Sequence, residues 1–235
     1  RPRNRADDIH YLGRLASDHR AKVQPDHVVQ VDAHRGEAVG TQGLDEPGAS
    51  DTAYVSDGYT AKVTVAGEVA DDLYVGYGSS ADETGTVQQT SGALALGGGL
   101  FLGAFAGDKG TYALDGGTLN VATAAVGQAG VGVLDVSGGA LTAAVLRVAA
   151  EVGAAGSTVT VSGGEIYVTG DAEVEGASSV TLSGGDLNAL NIQLSEENDD
   201  TSTITVSDGI LTAREDLHVA AGAGETGVLN LYGGT

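Results

Sequence analysis

Arg147, Glu173, Gln193 and His218 occupy one recurring position in four successive units of the sequence. A guanidinium, a carboxylate and an imidazole along one surface are groups that acid–base cleavage of a polysaccharide would use. Toward the N-terminus the same column reads Tyr74, Phe101 and Ala125, so its chemistry changes from unit to unit. Arg147 and Glu173 fall on adjacent units, within reach of each other at a strand spacing of about 4.8 Å. The ordinary reading of that pair is a surface salt bridge. Carboxylates that cleave glycosides must converge in a cleft, whereas Asp171, Glu173 and Glu175 alternate along one segment as a solvated face. No catalytic residue is assigned, and the chain reads as a non-enzyme.

The densest set of hard oxygen ligands is the run Glu196, Glu197, Asn198, Asp199 and Asp200. Four carboxylates at that density suit a weakly held Ca²⁺, although their spacing is not that of an EF-hand loop. The alternative is an acidic turn that discourages aggregation; the same choice applies to Asp71-Asp72 and Asp82-Glu83. His10, His19, His27 and His34 show no i, i+4 pair of the metalloprotease type, and the absence of Cys removes thiolate sites. Gly97-Gly98-Gly99 does not precede a helix pattern, so no phosphate or dinucleotide loop is read there, and no cofactor is assigned. Three neighbouring units also present outward hydroxyls: Thr158, Thr160 and Ser162, then Ser179, Thr181 and Ser183, then Thr203, Thr205 and Ser207. Arrays of this kind order water in some ice-binding proteins, but Thr also favours strands and Thr–Thr pairs stabilise ladders.

These columns exist because the sequence repeats. Gly67, Gly92, Gly116, Gly138, Gly163, Gly184, Asp208 and Gly233 recur at intervals of 25, 24, 22, 25, 21, 24 and 25 residues. Such a period is the signature of a solenoid, and about 24 residues suit one three-sided coil of a β-helix. Each unit reads as a strand, a Gly-Gly corner, a short apolar step such as Leu141 or Leu187, and a second strand. The first strand points Val63, Gln88, Tyr112, Leu134, Val159, Val180, Ile204 and Leu229 inward. The second contributes Leu73, Leu100, Ala124, Leu146, Ala172, Ile192 and Leu217, followed two residues later by Val75, Leu102, Val126, Val148, Val174, Leu194 and Val219. Period-two alternation within strands and agreement between units are what stacked aliphatic ladders require. The expected fold is therefore all-β, a right-handed parallel β-helix of about eight coils, with a distorted first coil between Ser56 and Gly67.

Composition supports this reading. With 38 Gly, no Trp, no Met and two Phe, a core must be built from thin layers of Val, Leu, Ile and Ala. All three prolines and four of the five histidines precede Gly48, which divides the chain into a segment 1–50 and a solenoid domain 51–235. Residues 7–20 have the spacing of a short amphipathic helix and residues 28–31 that of a strand, so the first segment reads as a cap or docking piece. Seven of the 11 basic residues but only eight of the 32 acidic ones lie before Asp51, so the repeats carry most of the net charge of −21. Such a surface repels phosphate backbones and excludes nucleic acid as a natural partner. No apolar run reaches the roughly 18 residues needed to span a bilayer.

The strings Thr-Val-Thr-Val-Ser-Gly-Gly at 158–164 and Val-Leu-Asp-Val-Ser-Gly-Gly-Ala-Leu at 133–141, the latter preceded by Val-Gly-Gln-Ala-Gly at 126–130, resemble the autotransporter-passenger-like β-helix repeats of large secreted bacterial proteins. The resemblance covers residues 62–235; the first fifty residues match nothing in it, and it comes without a membrane barrel or a C-terminal sorting helix. It implies an exported bacterial protein at the cell surface or outside the cell, structural in role, as a fibre, layer or adhesin-like module. The competing expectation is a β-helix protein that binds or degrades polysaccharide, with Tyr74 and Phe101 available for stacking. Expected partners are further copies of itself, associated head-to-tail or as a fibre, or cell-surface glycans. The strand ending at Leu231 followed by Gly233-Gly234-Thr235 stops partway through a coil, so either more repeats or a neighbouring subunit is expected to cover it.

Overall fold

The structure, a computed structural model, describes residues 47–78, 82–151, 153–195, 201–220 and 224–235. The helix at 7–20, the strand at 28–31 and the capping role of the first segment concern residues 1–46, which lie outside the described residues. From Thr52 onward the chain is all-β, with 19 parallel-paired strands and no helix among the described residues. It is a β-solenoid.

Each turn crosses three faces. The first face is built from Tyr59–Val63, Thr84–Gln89, Lys109–Leu114, Val131–Val136, Thr158–Val161, the beginnings of Ser179–Ala189 and Thr201–Ala213, and Thr226–Leu231. The second contains Ala66–Ala70, Ala93–Leu96, the beginnings of Thr118–Val126 and Ala140–Val148, Glu165–Val168, and the later parts of the two long strands. The third runs from Thr52–Val55 through Asp72–Val75, Gly99–Leu102, the later halves of Thr118–Val126 and Ala140–Val148, Asp171–Val174 and Asn191–Leu194 to Leu217–Val219. Where eight coils were expected, about six regular turns form. The first turn carries a register shift between Ala66 and Glu68, and Thr52–Val55 and Thr226–Leu231 belong to part-turns.

The core follows from alternation. On the third face the inward columns are the expected ones in register, and the side chains from Leu73 to Leu194 are at most 2% exposed. Leu217 and Val219 continue these columns but are 42% and 40% exposed, because no described strand covers that face beyond them. On the first face the inward column is Ala61, Val87, Tyr112, Leu134, Val159, Val180 and Ile204, each at most 1% exposed. This corrects the expected Val63 and Gln88: Val63 belongs to the next inward column and Gln88 faces solvent. The second face corrects the expectation again. The short apolar step is itself a strand, four residues long in most turns, with two inward side chains such as Leu94 and Leu96 or Ile166 and Val168. Fully burying an aliphatic side chain of this size is worth about 1.5–3 kcal/mol, and in a solenoid that burial is supplied by the turns above and below.

One polar pair sits inside this apolar stack. The Tyr112 hydroxyl donates to Gln89 Oε1 at 2.6 Å, and Gln89 Nε2 donates to the Thr118 carbonyl at 2.9 Å; both side chains are fully buried. Burial pushes the Tyr112 hydroxyl far above its ordinary pKa, so it remains a donor at any physiological pH. Removing the donor leaves a buried amide oxygen unsatisfied. Tyr112→Phe is therefore expected to cost about 1–3 kcal/mol in urea unfolding, more than the loss of one exposed hydrogen bond. A change below about 0.5 kcal/mol would show that the pair adds nothing beyond packing.

Candidate functional site

The outward column of the third face is the place to look for function, because parallel register brings residues some 25 positions apart side by side. It runs Tyr54, Tyr74, Phe101, Ala125, Arg147, Glu173, Gln193 and His218. Arg147 Nε lies 2.8 Å from Glu173 Oε2, with the two side chains 50% and 26% exposed. That is the expected surface ion pair, worth about 0–1 kcal/mol in this environment. Gln193 and His218 follow in register but belong to the next two turns.

The lower part of the column is different in kind. Tyr54 and Tyr74 are stacked with ring centroids 5.4 Å apart and planes 15° from parallel, and Tyr74 stacks on Phe101 at 4.7 Å and 19°. Tyr77 packs against Tyr54 at 4.7 Å and against Tyr74 at 5.2 Å, and Phe105 lies 5.1 Å from Tyr77. Five of the ten aromatic residues in the chain thus form one surface cluster. Sequence reasoning found Tyr74 and Phe101 and missed the other three. Tyr54 precedes the first full turn, and Tyr77 and Phe105 sit on the corners that follow Val75 and Leu102, outside the repeat columns. Their crowding into residues 54–105 was the available signal. Partial burial, then the nearby Asp72 carboxylate and Tyr77, raise the Tyr74 hydroxyl pKa, so it stays a neutral donor.

Beside the cluster, Asp108 is 1% exposed; its carboxylate accepts the backbone N–H of Gly78 and of Glu83, each at 3.2 Å. Burial pushes this carboxyl above the usual range, opposed by the backbone donors and reinforced by the charge of Glu83. The charged form consequently costs stability. That stability is present at low pH and is lost as pH rises from the ordinary Asp value of about 4 through the raised one.

The other candidates separate cleanly. Glu196, Glu197, Asp199 and Asp200 lie outside the described residues, as do His10, His19, His27 and His34; among the described residues no three His, Asp or Glu side chains converge as metal ligands. Two rows of the hydroxyl array are in register on the first face, Thr158, Ser179 and Thr203 in one and Thr160, Thr181 and Thr205 in the other, whereas the third is broken by a register shift that sets Ser183 beside Asp208 instead of Ser207. The two rows carry no charge. Arg214, one of the few cations of the repeats, holds turns together: its guanidinium lies 4.9 Å from the Tyr167 ring centroid and donates to the Tyr167 hydroxyl at 3.0 Å and to the Val168 carbonyl at 2.7 Å. No protein-family model, curated protein or solved structure matches this chain.

Proposed function

We propose that this chain is a structural β-solenoid module of an exported bacterial protein, displaying long regular faces outside the cell or at its surface as part of a fibre, layer or adhesin-like assembly. The observation that carries the reading is the third-face column. In-register stacking gives Arg147 and Glu173 to each other as an ordinary ion pair and continues them with Gln193 and His218 as a single outward row, one residue per turn, the pattern of a display surface. A second reading, glycan binding without catalysis, is favoured by the aromatic cluster.

The test combines imaging with an activity screen. Electron microscopy and sedimentation across a concentration series should show concentration-dependent assembly, and neutral and acidic polysaccharides should remain uncleaved. Glu173→Gln should shift stability by no more than about 1 kcal/mol. Lyase or hydrolase activity abolished by that substitution would overturn the structural reading.

A further inference from the structure

Three tyrosines that the core does not need meet on the third face. Their column continues as Ala125, Arg147 and Glu173, so the stacking of turns does not itself demand phenol rings at Tyr54 and Tyr74. Tyr77, on the corner after Val75, completes the group, its ring centroid 4.7 Å from that of Tyr54 and 5.2 Å from that of Tyr74. The contacts differ in kind. Tyr54 and Tyr74 lie face to face, 15° from parallel, and Phe101 stacks on Tyr74 from the next turn, whereas Tyr54 and Tyr77 are inclined at 54°, which brings the edge of one ring to the other. At that separation the nearest ring carbons are in van der Waals contact, about 3.5–4 Å. All three rings are half-buried, so small solutes reach them. Tyr54 stands on Thr52–Val55, a part-turn that pairs with Asp72–Val75 on one side and with no described strand on the other.

We propose that Tyr54 and Tyr77 are an oxidative cross-linking site, which a peroxide couples into an intrachain dityrosine that ties the first part-turn to the corner of the next turn. Each phenol gives up its hydroxyl hydrogen as a proton and an electron. The two phenoxyl radicals join through a Cε–Cε bond, and the hydrogens displaced from those carbons return as protons to the oxygens and restore both phenols. The peroxide O–O bond breaks, and hydrogen peroxide takes up the two electrons and two protons to leave as two waters. Tyr74 is the poorer partner. Its ring is covered on both faces, burial and then the Asp72 carboxylate make its phenol hold its proton more tightly, and it lies only three positions from Tyr77, so a link between those two would constrain almost no chain. A Tyr54–Tyr77 link closes 23 residues and fastens a strand that the ladder holds on one side. Closing a loop of that length restricts the unfolded chain as a disulfide does, and this chain has no Cys with which to do it otherwise.

The test treats the full chain, dilute, with hydrogen peroxide and a haem peroxidase. Tyr232, 78% exposed, is replaced by Phe beforehand so that it cannot join separate chains. Dityrosine fluorescence should appear while the chain stays monomeric on a denaturing gel. Trypsin cuts after Arg35, Lys62 and Lys109, so mass spectrometry of the denatured digest should find peptide 36–62 joined to peptide 63–109 with two hydrogens lost, and fragmentation should place the bond on Tyr54 rather than Tyr59 and on Tyr77 rather than Tyr74. Tyr54→Phe and Tyr77→Phe keep a ring in the cluster and should each lower the yield of this species about tenfold or more, whereas Tyr74→Phe should retain it; circular dichroism establishes that all three are folded. Oxidation should raise the melting temperature by about 5 °C or more, and should not do so in Tyr77→Phe. Dityrosine formed only between chains, a bond mapped to Tyr74, an undiminished yield in Tyr77→Phe, or no dityrosine at all would overturn the site. A Tyr54–Tyr77 bond that leaves the melt unmoved would overturn its role in fastening the first part-turn.

Discussion

Replacing Val161 or Leu182 with Asp is expected to unfold several turns together, at a cost of about 4 kcal/mol or more. The two side chains are fully buried, stand opposite each other in adjacent strands of the first face, and are surrounded by the aliphatic columns of turns above and below. A carboxylate there has no partner, and neutralising it would still leave a polar group among hydrocarbons. Since each turn buries its face only against its neighbours, the damage spreads along the axis rather than staying local. Domains commonly have only about 5–15 kcal/mol of stability, so loss on this scale is visible directly in a thermal or urea melt. Thr181→Asp, facing outward between Thr160 and Thr205, should cost less than about 1 kcal/mol. Thr160 is a poorer control, because Asp at that position would sit beside Asp135 and add like-charge repulsion. Equal losses for Val161→Asp and Thr181→Asp would contradict the assignment of the two sides of the strand.

Gly139→Ala is the second large effect. Gly139 has φ of +73°, and a Cβ there would lie 2.5 Å from the carbonyl oxygen of Gly117, the glycine one turn below. Both the left-handed backbone and the contact with main chain oppose a side chain, and the backbone below is itself fixed in the ladder. The expected cost is about 3 kcal/mol or more. Gly156 has a comparable φ of +86°, and no atom lies within 4 Å of where a Cβ would stand, so Gly156→Ala carries the conformational cost alone, about 1–2 kcal/mol. The difference between the two in urea unfolding isolates the vertical contact between corners. If the two substitutions were equally costly, close stacking of the glycine corners would be refuted.

The third face was legible in the sequence residue by residue, because Leu73-x-Val75, Leu100-x-Leu102 and Leu146-x-Val148 repeat a strong aliphatic pair. That same register correctly paired Arg147 with Glu173. The first face was readable from Tyr112 onward and slipped in the two turns before it. Aligning Gly92 with Gly116 puts Gln88 in the core, whereas the ladder sets Ala93 beside Thr118 and so Gly92 beside Gly117. A glycine column gives period but not phase when corners carry one Gly in some turns and two in others. The middle strand was missed because two inward residues, Leu94 and Leu96 for instance, are too few for alternation to announce itself. The aromatic cluster was half visible for a related reason: corner residues such as Tyr77 and Phe105 have no repeat partner to reveal where they point.

The in-register stack of turns, on which the core, the corners and the aromatic cluster all depend, can be measured with paired cysteines, since the chain contains none of its own. Thr160 and Thr181 are neighbours on the first face, and Thr205 is one turn further on. Adjacent strands are about 4.8 Å apart, inside the Cα separation that a disulfide accepts, and two turns make about 10 Å, outside it. Mild oxidation of the Thr160→Cys, Thr181→Cys double variant should consume both thiols within one chain, mapped by mass spectrometry, while the Thr160→Cys, Thr205→Cys variant stays reduced. Equal oxidation of the two pairs, or oxidation of the second alone, would contradict the parallel solenoid register.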